Sequence, residues 1–322
     1  MEFRRLISFG KSSYVVSLPK LWITKNGLKK GDLISLEENG PNLLVSKKEN
    51  TDQKIEKEKT IYIDGKDESS INREVCSAYI QNYRKITLKG KEIKNNVKVL
   101  QRVVQSLIAL EIMEQTSDSI VAKDFLNMDT VSTDELIRKM DIVTRTMMKE
   151  ACKIFSEDTY ESLNERDQDV NRLYFLLYRA VLYSLENPIK TLRNFNHSGI
   201  DLLKIKHLGF YIEAIADEAR RFARHARTLD IPAEKQKWIE NEVVKMYDLY
   251  VNTMKATYNK DIELALKLSD VKKELDKDIE LLEKEVQKIP NLNRVITRLQ
   301  RLASLIHNLG RVVYTMTYAE EP

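Results

Sequence analysis

No GxxxxGK[ST], GxGxxG or HExxH stretch occurs in the chain, so phosphate-loop nucleotide hydrolysis, Rossmann cofactor binding and zinc-protease chemistry have no local support. Histidine is scarce: His197, His207, His225 and His307 show no metal-ligand spacing with one another or with cysteine, and read as boundary or surface residues. The two cysteines, Cys76 and Cys152, are far apart and form no CxxC, which excludes a disulfide framework and a cysteine-based metal knot; they read as reduced and structural. No run approaches the ~18–20 apolar residues of a membrane span. The opening MEFRRLISFG leads into SSYVV and a proline rather than a signal-peptide core, so a cytoplasmic protein with no membrane insertion is expected.

What is present is a globular balance, 42% hydrophobic and 32% charged over 322 residues, and a length that calls for two or three domains. The net charge of +4 is localised. Residues 1–50 carry nine Lys/Arg (Arg4, Arg5, Lys11, Lys20, Lys25, Lys29, Lys30, Lys47, Lys48) against five acids, which accounts for the entire surplus. A concentrated excess of this kind is the electrostatic footprint of a polyanion partner.

Within residues 1–48, Tyr14 to Leu18 is β-prone and Pro19 ends the strand. Lys20 to Asn26 fits two helical turns, with Gly27 at a left-handed cap, followed by the Gly31-Asp32 turn and the strand Leu33 to Leu36. Asn39-Gly40 is a hairpin dipeptide and Asn42 to Ser46 the returning strand. So short a piece buries little apolar surface, and a second copy is expected to supply partner strands.

The stretch RRLISFGKSSYVVSLPKLWITKNGLKKGDLISLEENGPNLLVS, above all G-K-S-S-x-V-V-S-L-P-K followed by L-K-K-G-D, resembles the AbrB/SpoVT fold of transition-state regulators and addiction-module antitoxins. That resemblance implies a dimeric barrel of swapped hairpins that presents basic loops to DNA, with Arg4, Arg5, Lys11, Ser12, Ser13 and Lys20 as the candidate contacts. The competing reading is a module that only dimerises.

Beyond a mixed-charge linker at 50–59, residues 58–128 read as a small α+β connector: strands at Thr60 to Asp64, Arg84 to Leu88 and Ile120 to Phe125, a helix from Ser69 to Tyr83, and an amphipathic helix from Asn96 to Thr116 carried by Val97, Leu100, Val104, Leu107, Leu110 and Met113. No chemical motif marks it.

Residues 130–322 contain an internal repeat, about 130–230 and 238–320. Leu208, Ile212, Ile215, Ala219, Phe222 and Ala226 match Val295, Leu299, Leu302, Ile306, Leu309 and Val313, each pair 87 residues apart, in the 4-3-4-3-4 spacing of a bundle seam. Pro188, Pro232 and Pro290 mark breaks, so each copy parses as three helices. The expected fold class is therefore multidomain α+β: a small swapped-hairpin β-barrel, an α+β connector, and an all-α bundle of two three-helix repeats.

The stretches NERDQDVNRLYFLLYRAV and FYIEAIADEARRFARHA resemble the PhoU family of phosphate-uptake regulators, built from two three-helix repeats. Members carry Glu/Asp-x-x-x-Asp patterns associated with metal clusters. Here the pattern falls on Glu213 and Asp217 and, with a departure, on Asp167 and Asn171; Glu274 and Asp278 are weaker candidates for a second site, since the repeat places Gln300 and Ser304 where its carboxylates should be. A divalent or iron-type metal is what the resemblance implies. Glu213 and Asp217 project away from the apolar seam, one turn apart, and Asp217 precedes Arg220 and Arg221, as on an ordinary solvated helix face.

Together these readings point to a non-enzymatic, DNA-binding regulator of phosphate uptake and phosphate homeostasis, homodimeric through its N-terminal domain, with DNA and a phosphate-transporter ATPase subunit as partners. The alternative is a PhoU-like interaction protein that inhibits a phosphate ABC transporter ATPase without touching DNA.

Overall fold

The computed structural model describes residues 3–39, 42–47, 56–284 and 289–316, in two compact units that divide between Ile55 and Glu56. In the first, β1 (Ile7–Phe9) pairs antiparallel with β2 (Ser13–Val15), a short helix α1 (Lys20–Lys25) follows, and β3 (Ile34–Asn39) pairs antiparallel with β4 (Asn42–Lys47). This is the strand, strand, helix, strand, strand order expected. Pro19 is the N-cap of α1, and Gly27, at φ +63°, turns the chain after Asn26 so that the Leu28 amide can donate to the Ile23 carbonyl. Among the described residues the hairpins form two separate two-stranded sheets; Gly40 of the Asn39-Gly40 turn lies outside the described residues.

The second unit begins with β5 (Glu58–Tyr62), α2 (Glu68–Ile80), β6 (Lys85–Lys89), α3 (Ile93–Gln105), β7 (Leu110–Gln115) and β8 (Ser119–Asp124). The sheet order is β5-β6-β8-β7, with β5 parallel to β6 and the other pairs antiparallel. Asp67 starts α2 by accepting from the Ser70 amide at 2.9 Å. Inward-facing Ile61, Ile86, Leu88, Ile120 and Ala122 meet Val75, Tyr79, Leu100 and Val104 of the two helices in a closed core. The sequence reading of one helix from Asn96 to Thr116 is corrected here: α3 ends at Gln105, Ala109 adopts φ +61°, and Leu110 opens a strand. Pairing with β8 overrides the helical spacing, and Met113, at the β7 irregularity, is 53% exposed where a helical seam would have buried it.

Among the described residues seven helices follow: α4 (Thr133–Ala151), α5 (Tyr160–Glu186), α6 (Pro188–Phe195), α7 (Gly199–Ala226), α8 (Ala233–Asn259), α9 (Ile262–Glu283) and α10 (Leu292–Met316). All twelve seam residues are buried, on α7 and α10, and these two helices pack on each other. α4 and α5 flank α7 as α8 and α9 flank α10. The first repeat departs from three helices by one addition: Pro188 stops α5 and becomes the first residue of α6, which Asn196 ends at φ +53°. On α7, Gly209 permits close approach to α5, since a Cβ there would lie 2.2 Å from Leu177 Cδ2.

The sheet and the bundle have separate hydrophobic cores, joined by one buried polar network. Arg179 of α5 is 0% exposed; its Nη2 donates to Asp124 Oδ2 at 2.6 Å and its Nε to Asn82 Oδ1 at 2.9 Å. Its guanidinium lies 4.5 Å from the Tyr79 ring centre, and Arg84 donates to Asp124 Oδ2 as well. Removing Asp124 leaves the Arg179 charge buried without a carboxylate, whereas removing Arg179 leaves Asp124 still paired with Arg84. Asp124→Leu alone is therefore expected to lower the unfolding free energy by about 3–5 kcal/mol in urea denaturation and Arg179→Met by less, with the Arg179→Met/Asp124→Leu double variant losing less than the sum of the two singles.

Candidate functional site

The six residues expected at DNA all belong to the first unit and all are exposed. Arg4 and Arg5 lead into β1, Lys11 and Ser12 form the β1–β2 turn, Ser13 opens β2 and Lys20 opens α1. Apolar side chains are exposed in the same unit: Phe3 (87%), Ile7, Phe9, Tyr14, Leu21 (81%) and Leu33, while Leu28 is the one buried hydrophobic residue among its described residues. Two-stranded hairpins without a shared core are marginal in water, and so many large apolar side chains exposed on so small a unit are what a face for another chain would present.

In the bundle, Asp167, Asn171, Glu213 and Asp217 come together between α5 and α7. Glu213 and Asp217 are half-buried rather than solvated. A single-helix projection misses this because α7 is covered by α4, α5 and α10 and has little free face. Burial first, then the charges of Asp217 and Asp167, push the Glu213 carboxyl up to about 7. Asp167 is also raised, chiefly by burial, against the opposing pull of Arg220.

These residues do not fit a metal centre as placed. Arg220, read from the sequence as surface charge, inserts its guanidinium between the helices, with Nε 3.0 Å from Asp167 Oδ2 and Nη2 2.7 Å from Asp217 Oδ1. Arg221 takes the other Asp217 oxygen at 2.7 Å. Asn171 donates to the Asp167 carbonyl at 2.9 Å, and to its carboxylate. Among the described residues no group of three or more His, Cys, Asp or Glu is arranged to hold a metal ion. The weaker pair fares no better: Glu274 and Asp278 line one shallow cleft with Asp248, but Asp278 is bound there by Lys245 at 2.7 Å, and Lys245 also reaches buried Glu242 at 2.8 Å.

One charged group escaped the sequence reading altogether. Glu218 is 2% exposed and faces Arg298 and Arg301 of α10, each at 3.2 Å, and Arg221 at 3.7 Å, so it ties the two repeats together. Its position held the signal: three residues after Ile215 and four before Phe222, it sits on the seam itself. Cys76 and Cys152 are free thiols, each pushed up by burial to about 11, which leaves them un-ionised at neutral pH.

Residues 7–53 match the family described as "Antidote-toxin recognition MazE, bacterial antitoxin", and the N-terminal module is accordingly MazE/AbrB-like. No curated protein matches the chain. Among solved structures, the crystal structure of PhoU from Pseudomonas aeruginosa is similar at a TM-score of 0.47 and 16% sequence identity, over 57% of this chain and 94% of that one.

The sign of the Glu213 shift sets a testable pH dependence. The folded carboxyl titrates near 7 and the unfolded one near its ordinary value of 4.5, so between those limits the folded state holds a proton that the unfolded state has lost. Stability attributable to this group thus falls as pH rises from about 4.5 to 7 and then levels off, by ~2–3 kcal/mol. Glu213→Gln is expected to raise the melting temperature at pH 8 and to leave it nearly unchanged at pH 4.5, as read by thermal denaturation across that range.

Proposed function

We propose that the chain is a dimeric regulator that binds duplex DNA through its N-terminal module and serves phosphate homeostasis through its helical bundle. The observation that carries the reading is the N-terminal unit, which exposes Ile7, Phe9, Tyr14, Leu36 and Leu43 on its two hairpins and whose first 50 residues hold the charge surplus of the whole chain. A second copy would cover the apolar face, and pairing two copies would double the basic one. Its MazE/AbrB-like character supports the same use. The phosphate role is supported by the sequence resemblance of NERDQDVNRLYFLLYRAV and FYIEAIADEARRFARHA to PhoU-family helices.

No catalytic step is part of this reading. No metal is part of it either, because a guanidinium fills the space between the α5 and α7 carboxylates. An effector or a transporter ATPase subunit engaging the bundle would act by changing DNA affinity, and unchanged affinity on adding such a partner would remove that coupling from the proposal.

Two measurements test the module. In sedimentation, the full chain is expected to run as a dimer, and Ile7→Asp, placed on the exposed Ile7–Val15 pair of the first hairpin, is expected to shift it to monomer. In titrations of duplex DNA from low to moderate salt, log K should fall linearly with log salt, and Arg4→Ala/Arg5→Ala should reduce that slope by about 2. Absence of any salt-sensitive binding would leave a module that only dimerises, and would favour a bundle that acts directly on a phosphate-transporter ATPase subunit.

A further inference from the structure

A cleft of about 560 Å³ lies where the two repeats meet, lined by α4, the α6–α7 loop, the start of α7 and the C-terminal end of α8. Its size is that of a small-molecule site. Buried Ile137, Ile205 and Leu208 contribute apolar lining, with the rings of Phe195 and Tyr258. Four cationic or protonatable side chains converge on it: Arg138, His197, Lys204 and Lys260.

The two acids of the cleft have contacts of their own, and Asp201 also attracts Lys204. Asp201 closes the capping box of α7, accepting from the Ser198 amide at 2.8 Å and from its hydroxyl at 2.7 Å. Asp134 lies 3.4 Å from His197 Nε2, and that hydrogen bond holds the imidazole above its ordinary value. Among the described residues, neither Arg138 nor Lys260 has a carboxylate within 4.0 Å; Arg138 instead lies 4.9 Å from the Tyr258 ring centre, which steadies its guanidinium. Burial, and then the charge of Lys260, hold the Lys204 ammonium below its usual range. An anion between these groups would relieve both the desolvation and the repulsion.

We propose that this cleft binds a phosphorylated small molecule of nucleotide size, its phosphoryl oxygens between Arg138, Lys204 and Lys260 and its organic part against Ile137, Ile205 and Leu208. Three cations lining one cleft suit a multivalent oxyanion better than a single carboxylate, and the guanidinium fork matches phosphoryl geometry. Inorganic phosphate alone would occupy a small part of the volume. The site is independent of the DNA-binding reading, since its residues come from the two repeats of the bundle and none from the N-terminal module.

The test is calorimetric titration of the full-length protein with AMP, ATP, inorganic phosphate and uncharged adenosine. Binding of the nucleotides, none by adenosine, and a loss of about 10-fold or more per removed cation in Lys204→Gln/Lys260→Gln are the expected results. Inorganic phosphate binding as tightly as AMP, with the same loss in the double variant, assigns the site to the free ion and supports the shared chemistry. Should the double variant fail to fold, Arg138→Gln, an exposed position, carries the same readout. Failure of every phosphorylated probe to bind overturns the assignment, as does adenosine matching AMP, or a folded variant that binds like the wild type.

Discussion

The contact between Arg179 and Asp124 sets the terms for the larger unit. Both side chains are fully buried, where Tyr79 of the sheet's core meets helix α5. Taking two such charges out of water costs several kcal/mol each, so the pair is tolerable only with further hydrogen bonds around it. The surroundings supply them. Asn82, held in a left-handed conformation after α2, offers its side-chain oxygen to Arg179; the Leu126 amide donates to the second Asp124 oxygen at 3.1 Å; and the Tyr79 hydroxyl, beside the guanidinium, donates to the Ile108 carbonyl at 3.0 Å. These groups come from the C-terminal end of α2 and from the segment that follows β8. Strand β8, the turn after α2 and helix α5 must therefore all be in register before the charge is neutralised. A surface pair such as Lys57–Glu186, with both side chains more than half exposed, imposes no such condition.

How much of this was visible in the chain depends on whether an interaction is local. The bundle seam was legible because burial on α7 and α10 repeats with the helical period, and the 87-residue offset of twelve residues is carried in the sequence itself. Proline breaks were legible for the same reason, except that Pro188 begins a further helix as well as ending one. In the N-terminal module, turn chemistry at Gly27 sufficed to place α1. By contrast, the end of α3 was decided by a partner strand beginning at Ser119, which residue spacing within 96–116 does not report. Glu213 and Asp217 were placed on the correct helix and beside the correct partners, yet their burial comes from three neighbouring helices. Arg179, alone in an apolar run of α5, gives no local sign that its counter-charge lies 55 residues earlier.

The two ends of the molecule handle charge and apolar surface in opposite ways. The bundle buries its apolar seam and pairs its interior charges one by one, as Glu218 shows with three arginines. In the N-terminal unit the apolar side chains stay exposed and the basic residues outnumber the acids. Such a unit would gain stability by association with another chain, which would couple its folding to its assembly.

Arg220 occupies the gap between two helices where carboxylates from both meet. A metal ion in such a place is an exchangeable component: it has a dissociation rate, competes with chelators and follows the supply in its surroundings. A guanidinium on the chain has none of these properties. Its stoichiometry is fixed at synthesis and its charge persists at any ordinary pH. The charge balance of the α5–α7 contact is thereby built into the chain itself.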